Sequence, residues 1–159
     1  MKSTTLCFLV KGNKVLLAMK KRGFGMGKFN GVGGKVERVE SIVDACVREA
    51  QEEIGVEINK GTLTPRAHLQ FYFDGRPEWD QVCHVFVAKK WEGEPVETEE
   101  MKPEWFPVAQ LPFEKMWIDD PLWLPKVLAG QALKAEFHFT ADGSKLLSHA
   151  IENVQKLDN

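Results

Sequence analysis

The chain has 159 residues, 43% hydrophobic and 28% charged, with a formal net charge of −2. That length suits one domain spanning 1–159 with a sizeable core, and the composition argues against disorder, coiled coil and collagen-like repeats. No apolar run reaches the roughly 18–20 residues that cross a bilayer, and near-neutral charge argues against a surface for duplex nucleic acid. A small anion held through a metal remains compatible with it.

Thr4 to Val10 is apolar and rich in β-favouring residues, Gly12-Asn13 is a turn signal, and Lys14 to Met19 resumes the apolar character, so the three predict a β-hairpin. Residues 20–27 are too basic and too glycine-rich for a regular element, and Asn30 to Val36 reads as a short strand. Ser41 to Ile54 is the clearest helix. Ser41 with Asp44 starts it in the manner of a capping box, and Gly55 stops it. His68 to Phe73 and Val82 to Lys90 predict two strands joined around residues 74–77, with a further short strand at 104–106. Asp120-Pro121 opens a second helix that ends near Gly130. Ala135 to Phe139 and Lys145 to His149 flank Asp142-Gly143, a hairpin signal. Strands interspersed with two helices predict an α/β sandwich with a mixed sheet.

Cys7, Cys46 and Cys83 lie in apolar stretches with no Cys-x-x-Cys pair, so they read as buried free thiols in a reducing compartment. The first five residues run straight into a strand-like segment and carry no signal-peptide or presequence pattern. A cytoplasmic protein is the expectation, and nothing suggests a zipper, so a monomer is expected too. His68, His84, His138 and His149 show no metal-ligand spacing.

The helix carries the first chemistry. With Val43 as zero and about 100° per residue, Val43, Cys46, Val47, Ala50 and Ile54 form one apolar stripe. Glu49, Glu52 and Glu53 fall at about 240°, 180° and 280°, so three carboxylates share a face beside it. Like charges this close destabilise a helix by a few tenths of a kcal/mol per pair. Arg48 offsets part of that through Glu52, four residues on. A solvated acidic face is the ordinary reading, and a site for a hard cation is the functional one.

The spacing upstream favours the cation. Gly34, Glu40 and then Arg48-Glu49-Ala50-Gln51-Glu52-Glu53-Ile54-Gly55-Val56 stand at intervals of five and seven residues. This pattern resembles the signature of the Nudix hydrolases at every fixed position. The resemblance implies an α/β/α sandwich with a central mixed β-sheet. It also implies Mg²⁺, with Mn²⁺ as a substitute, held by Gly34, Glu49, Glu52 and Glu53. Arg48 and Glu40 would orient that cluster. In the family a water then attacks a diphosphate linkage; a nucleoside triphosphate yields monophosphate and pyrophosphate. Glu97, Glu99 and Glu100 form a second acidic stretch. In related Nudix enzymes a glutamate of such a loop reaches the metals and can act as base, and Glu100 is the candidate here.

Outside the motif the chain resembles the Nudix subgroup of animal MutT homologues, which hydrolyse oxidised purine nucleoside triphosphates such as 8-oxo-dGTP and 2-oxo-dATP. Met19 to Gly25 with Asn30-Gly31 and Gly33 to Val36, Pro95 to Glu97 with Glu100-Met101, and Pro112-Phe113, Met116-Trp117, Asp119-Asp120 and Trp123 carry that likeness. Phe29 and Val32 stand where that subgroup has different bulky residues, and the stretch Arg76 to Gln81 departs from it too and is one residue longer. A flat base needs aromatic walls and a few placed polar groups. Phe24, Phe71, Phe73 and Trp117 are the expected walls, and Asn30, Asp119 and Asp120 the expected readers of polar edges. Thr5 and Lys20 complete the expected substrate-binding set. Two ionised carboxylates accept only, so they cannot satisfy an oxygen on the base. A pair sharing one proton both donates and accepts. The rival for Asp120 is a helix cap that never touches the base. A Nudix enzyme of methylated purine nucleotides, nucleotide sugars or dinucleoside polyphosphates, and a non-catalytic nucleotide-binding module, are the competing readings. The intact, mutually repelling carboxylates argue against the last.

Overall fold

A computed structural model describes residues 1–157. Its strands are β1 (Lys2–Lys11), β2 (Lys14–Lys20), β3 (Phe29–Asn30), β4 (Glu57–Ile58), β5 (Thr64–Phe73), β6 (Gln81–Ala88), β7 (Trp91–Glu92), β8 (Met101–Pro107), β9 (Ala132–Phe139) and β10 (Leu146–Val154). The helices α1 (Ile42–Ile54) and α2 (Asp120–Leu128) complete the framework. One mixed sheet runs β10-β9-β5-β6-β1-β2-β3, with β8 also paired to β2. The β1/β6 and β5/β9 pairs are parallel and the rest antiparallel.

Side chains alternate along each strand, so the sheet buries two different faces. Phe8 of β1, Cys83 and Val85 of β6, Leu69 of β5 and Phe137 of β9 pack with Trp123, Leu124 and Val127 of α2. Cys7 and Leu9, Phe86 and Ala88 point the other way and pack with Cys46, Ala50 and Ile54 of α1. The α/β/α arrangement follows from that alternation. All three cysteines are buried and free.

α1 is bounded as its sequence dictates. The Ser41 hydroxyl accepts the Asp44 N–H at 3.0 Å, and Gly55 closes the helix at φ 72°. The amphipathic wheel needs one amendment: Glu53 is buried at 5% exposure.

The β1–β2 hairpin is real but brief. Only Val10↔Val15 and Lys11↔Lys14 pair, and then the strands part. The segment after β3 fills the gap and bridges to β1 at Thr4↔Lys35 and Cys7↔Val32. The expected strand at 30–36 is therefore a two-residue strand followed by isolated bridges, because three glycines and a carboxylate contact interrupt its ladder. The short strand expected at 104–106 is seven residues long and pairs with β2 throughout. Its alternation is broken by Pro103 and Pro107, which hid its length. The small β4/β7 pair was not foreseen; two-residue strands leave no period to read.

Candidate active site

Three segments converge where β1 and β2 part: the 31–35 segment, α1, and the acidic loop before β8. Gly33 sits so close to β1 that a Cβ would overlap the Thr5 carbonyl. Only glycine lets the backbone pass there. The approach aims the Gly33 N–H at Glu53, whose Oε1 accepts it at 2.7 Å. A Cβ on Gly34 would meet the Glu49 carboxylate at 2.5 Å, and the Gly34 carbonyl accepts the Thr5 N–H at 2.9 Å. That carbonyl retains a second lone pair.

Arg48 organises the helix face. Its Nε and one terminal nitrogen grip Glu40 at 3.0 and 2.7 Å. The other terminal nitrogen donates to Glu49 at 3.0 Å and to Glu52 at 3.1 Å. The fork holds the Glu40 carboxyl below its ordinary range. Burial outweighs Arg48 at Glu49 and raises that carboxyl. Burial also dominates at Glu53, which is pushed up to about 8 against the Gly33 hydrogen bond, with the charges of Glu49 and Glu100 adding to the rise. Thr98 ties the acidic loop to the end of α1 by donating to the Glu53 carbonyl at 2.8 Å. Glu100 itself is half exposed and lies 3.5 Å from Arg22.

Among the described residues, no three His, Cys, Asp or Glu side chains are gathered closely enough to enclose an ion as they stand. The donor set nevertheless fits a hard divalent cation. It consists of oxygens, it holds Glu53 and Glu49 in surroundings too dry for their charge, and glycine backbone leaves room beside both.

The site opens into a cavity of about 430 Å³ that runs from Glu53 and Gly34 to Trp117 and the Asp119-Asp120 pair. Thr5, Lys20, Phe24, Asn30, Phe71 and Phe73 line it as well. Glu49, Glu52, Glu100 and Arg48 stand outside this lining. Thr5 stands on the opposite sheet face from Phe71 and Phe73. Strand alternation turns its side chain toward α1, away from the Phe71 face, and its buried hydroxyl has no hydrogen-bond partner among the described residues.

The far end is aromatic around a buried acidic pair. Phe24 lies 5.2 Å from Trp117 and 6.2 Å from Trp79, centroid to centroid, and Phe73 stacks on Phe139 at 5.1 Å. Asp119 accepts the Trp123 indole N–H at 2.8 Å, and Asp120 accepts the Trp117 backbone N–H at 3.1 Å. Asp120 therefore does not cap α2; it braces the turn that carries Trp117. Burial raises both carboxyls, Asp120 further through the charge of Asp119, with Lys28 opposing.

Several residues at the site carry no motif. Lys28 lies 5.2 Å from the Trp117 ring centroid, a cation over an aromatic face. Trp79, on the β5–β6 connection, backs Phe24 and Phe73 from outside the lining, with the Arg76 guanidinium 4.4 Å above it. Gln81 lines the cavity floor. The basic loop read from the sequence stopped at Gly27, one short of Lys28, and Gln81 was marked only as the end of the departing stretch Arg76 to Gln81.

The NUDIX domain family matches residues 2–127, and the chain belongs to it. The family generally uses a divalent metal. The chain is 42% identical over 156 residues to an oxidized purine nucleoside triphosphate hydrolase of Danio rerio, an alignment covering 98% of this chain and 97% of that protein. Its identity to the enzyme of the same description from Mus musculus is also 42%, over 94% of both. In shape it resembles the crystal structure of a Mutator MutT protein from Bacillus halodurans, with TM-score 0.83, 28% identity and coverage of 96% and 98%.

Proposed function

We propose that this chain hydrolyses oxidised purine nucleoside triphosphates, such as 8-oxo-dGTP and 2-oxo-dATP, to monophosphate and pyrophosphate. It would thereby cleanse the nucleotide pool of mutagenic precursors. One observation carries the reading. A single cavity joins the carboxylate helix to a buried carboxyl pair walled by Trp117, Phe24 and Phe73. That supports separate places for phosphates and base at the two ends. All of these groups come from one chain, which supports action as a monomer. Three free buried thiols suit a cytoplasmic location.

Glu49, Glu52, Glu53 and Glu100, with the Gly34 carbonyl, are the residues that would hold the cation, Mg²⁺ or in its place Mn²⁺. When bound, that ion neutralises phosphate charge and acidifies a water. The chain's own contribution is preorganisation. Arg48 holds Glu49 and Glu40 in fixed rotamers. The Gly33 N–H fixes Glu53. Lys20 lines the cavity near Glu53 and offers a positive charge to the phosphates. Burial raises both Asp119 and Asp120, which supports a pair that would share one proton, donating to a base oxygen while accepting from base N–H groups. Moving that proton reads a second donor pattern. The test is pyrophosphate release across a panel of oxidised, methylated and ordinary nucleotides, with and without chelator. Release confined to methylated or unmodified purines would overturn the substrate; release unaffected by chelator would overturn the cation.

A further inference from the structure

The β5–β6 connection is the stretch where the chain departs from the subgroup it resembles, and it delivers Gln81 as the first residue of β6. Register sets Gln81 opposite Phe71 of β5. Residues paired across strands share a face, so Gln81 points with Phe71 toward the base end of the cavity, not toward α1. Cys83, two residues on along β6, also lines that floor, and the charges of Asp119 and Asp120 both reach it.

The amide is oriented. Thr4, on the same face of β1, donates its hydroxyl to Gln81 Oε1 at 3.0 Å. A primary amide has one acceptor oxygen and an NH₂ group with two donors. With the oxygen held by Thr4, the NH₂ end is left for a ligand. Among the described residues it donates to no protein acceptor. Asn30 also lines the cavity, and its Oδ1 accepts the Gly31 N–H at 2.8 Å. The polar equipment of the base site is therefore asymmetric. A buried carboxyl pair stands at the start of α2, and an amide donor stands on the sheet.

We propose that Gln81 is a specificity-determining residue whose side-chain N–H donates to an oxo oxygen of the bound purine, with Thr4 as the residue that positions it. This rests on the reading of the chain as an oxidised-purine nucleotide hydrolase. A site built to hydrogen-bond a substrate group discriminates strongly against analogues lacking it, because its own polar groups are then left unpaired. dATP carries no oxo group and 8-oxo-dGTP does.

The experiment compares wild type with Gln81→Met and Gln81→Glu. The first keeps length and volume without hydrogen bonding, and the second keeps the oxygen and replaces the donor by an acceptor. The readouts are kcat/KM for 8-oxo-dGTP and dATP, calorimetric binding of 8-oxo-dGMP, and Tm. Gln81→Met is expected to lower the 8-oxo-dGTP to dATP ratio about tenfold, mostly through KM, and to weaken 8-oxo-dGMP by a similar factor. Gln81→Glu is expected to lower both further. Thr4→Val is expected to lower the ratio about threefold, since it frees the amide without removing it. If Gln81→Met does not fold, Thr4→Val carries the test alone. An unchanged ratio in every folded variant overturns the proposal, as does an equal loss on both substrates. Should wild type itself neither bind 8-oxo-dGMP nor hydrolyse 8-oxo-dGTP, the underlying substrate reading fails instead.

Discussion

Glu53 shows how far one side chain's setting diverges from its residue type. A glutamate on a helix face is normally solvated, yet this one is 5% exposed and held by a glycine N–H. Glu53→Gln keeps the size and the acceptor oxygen while removing the ability to ionise. It should lower kcat at least about 100-fold at saturating Mg²⁺, with Tm within a few degrees of wild type; turnover within threefold would refute the assignment. Asp120 offers the pH test. Burial and the Asp119 charge raise its carboxyl, while Lys28 opposes. The native state therefore keeps a proton that the unfolded chain has already released. Stability from this group is fully present below the unfolded pKa and is lost as pH rises toward the folded one. Asp120→Asn removes that slope and can still accept the Trp117 N–H. Its Tm should gain on wild type as pH rises above the unfolded carboxyl range. Its ratio of activity on 8-oxo-dGTP over 2-oxo-dATP should shift markedly. A Tm difference independent of pH, with an unchanged ratio, would sink the shared proton.

At the scale of elements, α1 repays attention because its cap fixes where its carboxylates fall. Ser41→Ala removes the hydroxyl that accepts the Asp44 N–H and should cost about 1 kcal/mol, seen as a Tm drop of about 2–4 °C. Ser41→Asp should restore it. α1 was legible in sequence because cap, stripe and stop agree, and so were its carboxylates and Arg48. Strand interiors such as Thr64–Phe73 were found but clipped, since Pro65 and Arg66 break the apolar run. The partings of strands could not be read at all. Residues 4–19 look like an ordinary hairpin, and only the three-dimensional competition from β6, β8 and the glycine segment opens it. The base end was visible in part. Trp117 and the aspartates stand in a motif, whereas Trp79 and Gln81 arrive on a connection whose path no local pattern sets.

Across the whole molecule, ligand and fold should be linked. On the proposed reading, a nucleotide bound with Mg²⁺ would span the 31–35 segment, α1, the acidic loop and the turn before α2, and so would hold together segments far apart in sequence. At 100 times its Kd a ligand of the native state adds about 2.7 kcal/mol, and 8-oxo-dGMP with Mg²⁺ should therefore raise Tm by about 5–10 °C. Absence of a shift would remove the cavity from consideration as the binding site. The glycine segment has a further consequence for amide hydrogen exchange. Val32 donates to the Cys7 carbonyl at 3.0 Å and Val36 to the Ser3 carbonyl at 2.9 Å, while Cys7 donates back to Val32 at 2.6 Å. Though it lacks a regular ladder, this stretch opens only when β1 does, so its amide protons should exchange about as slowly as those of the sheet centre. Gly33 stands apart within it, because its proton is retained by a side chain. Its exchange rate becomes a direct reporter of the Glu53 carboxyl: changing that carboxyl's partners should alter the protection of Gly33 while Val32 beside it stays as it was.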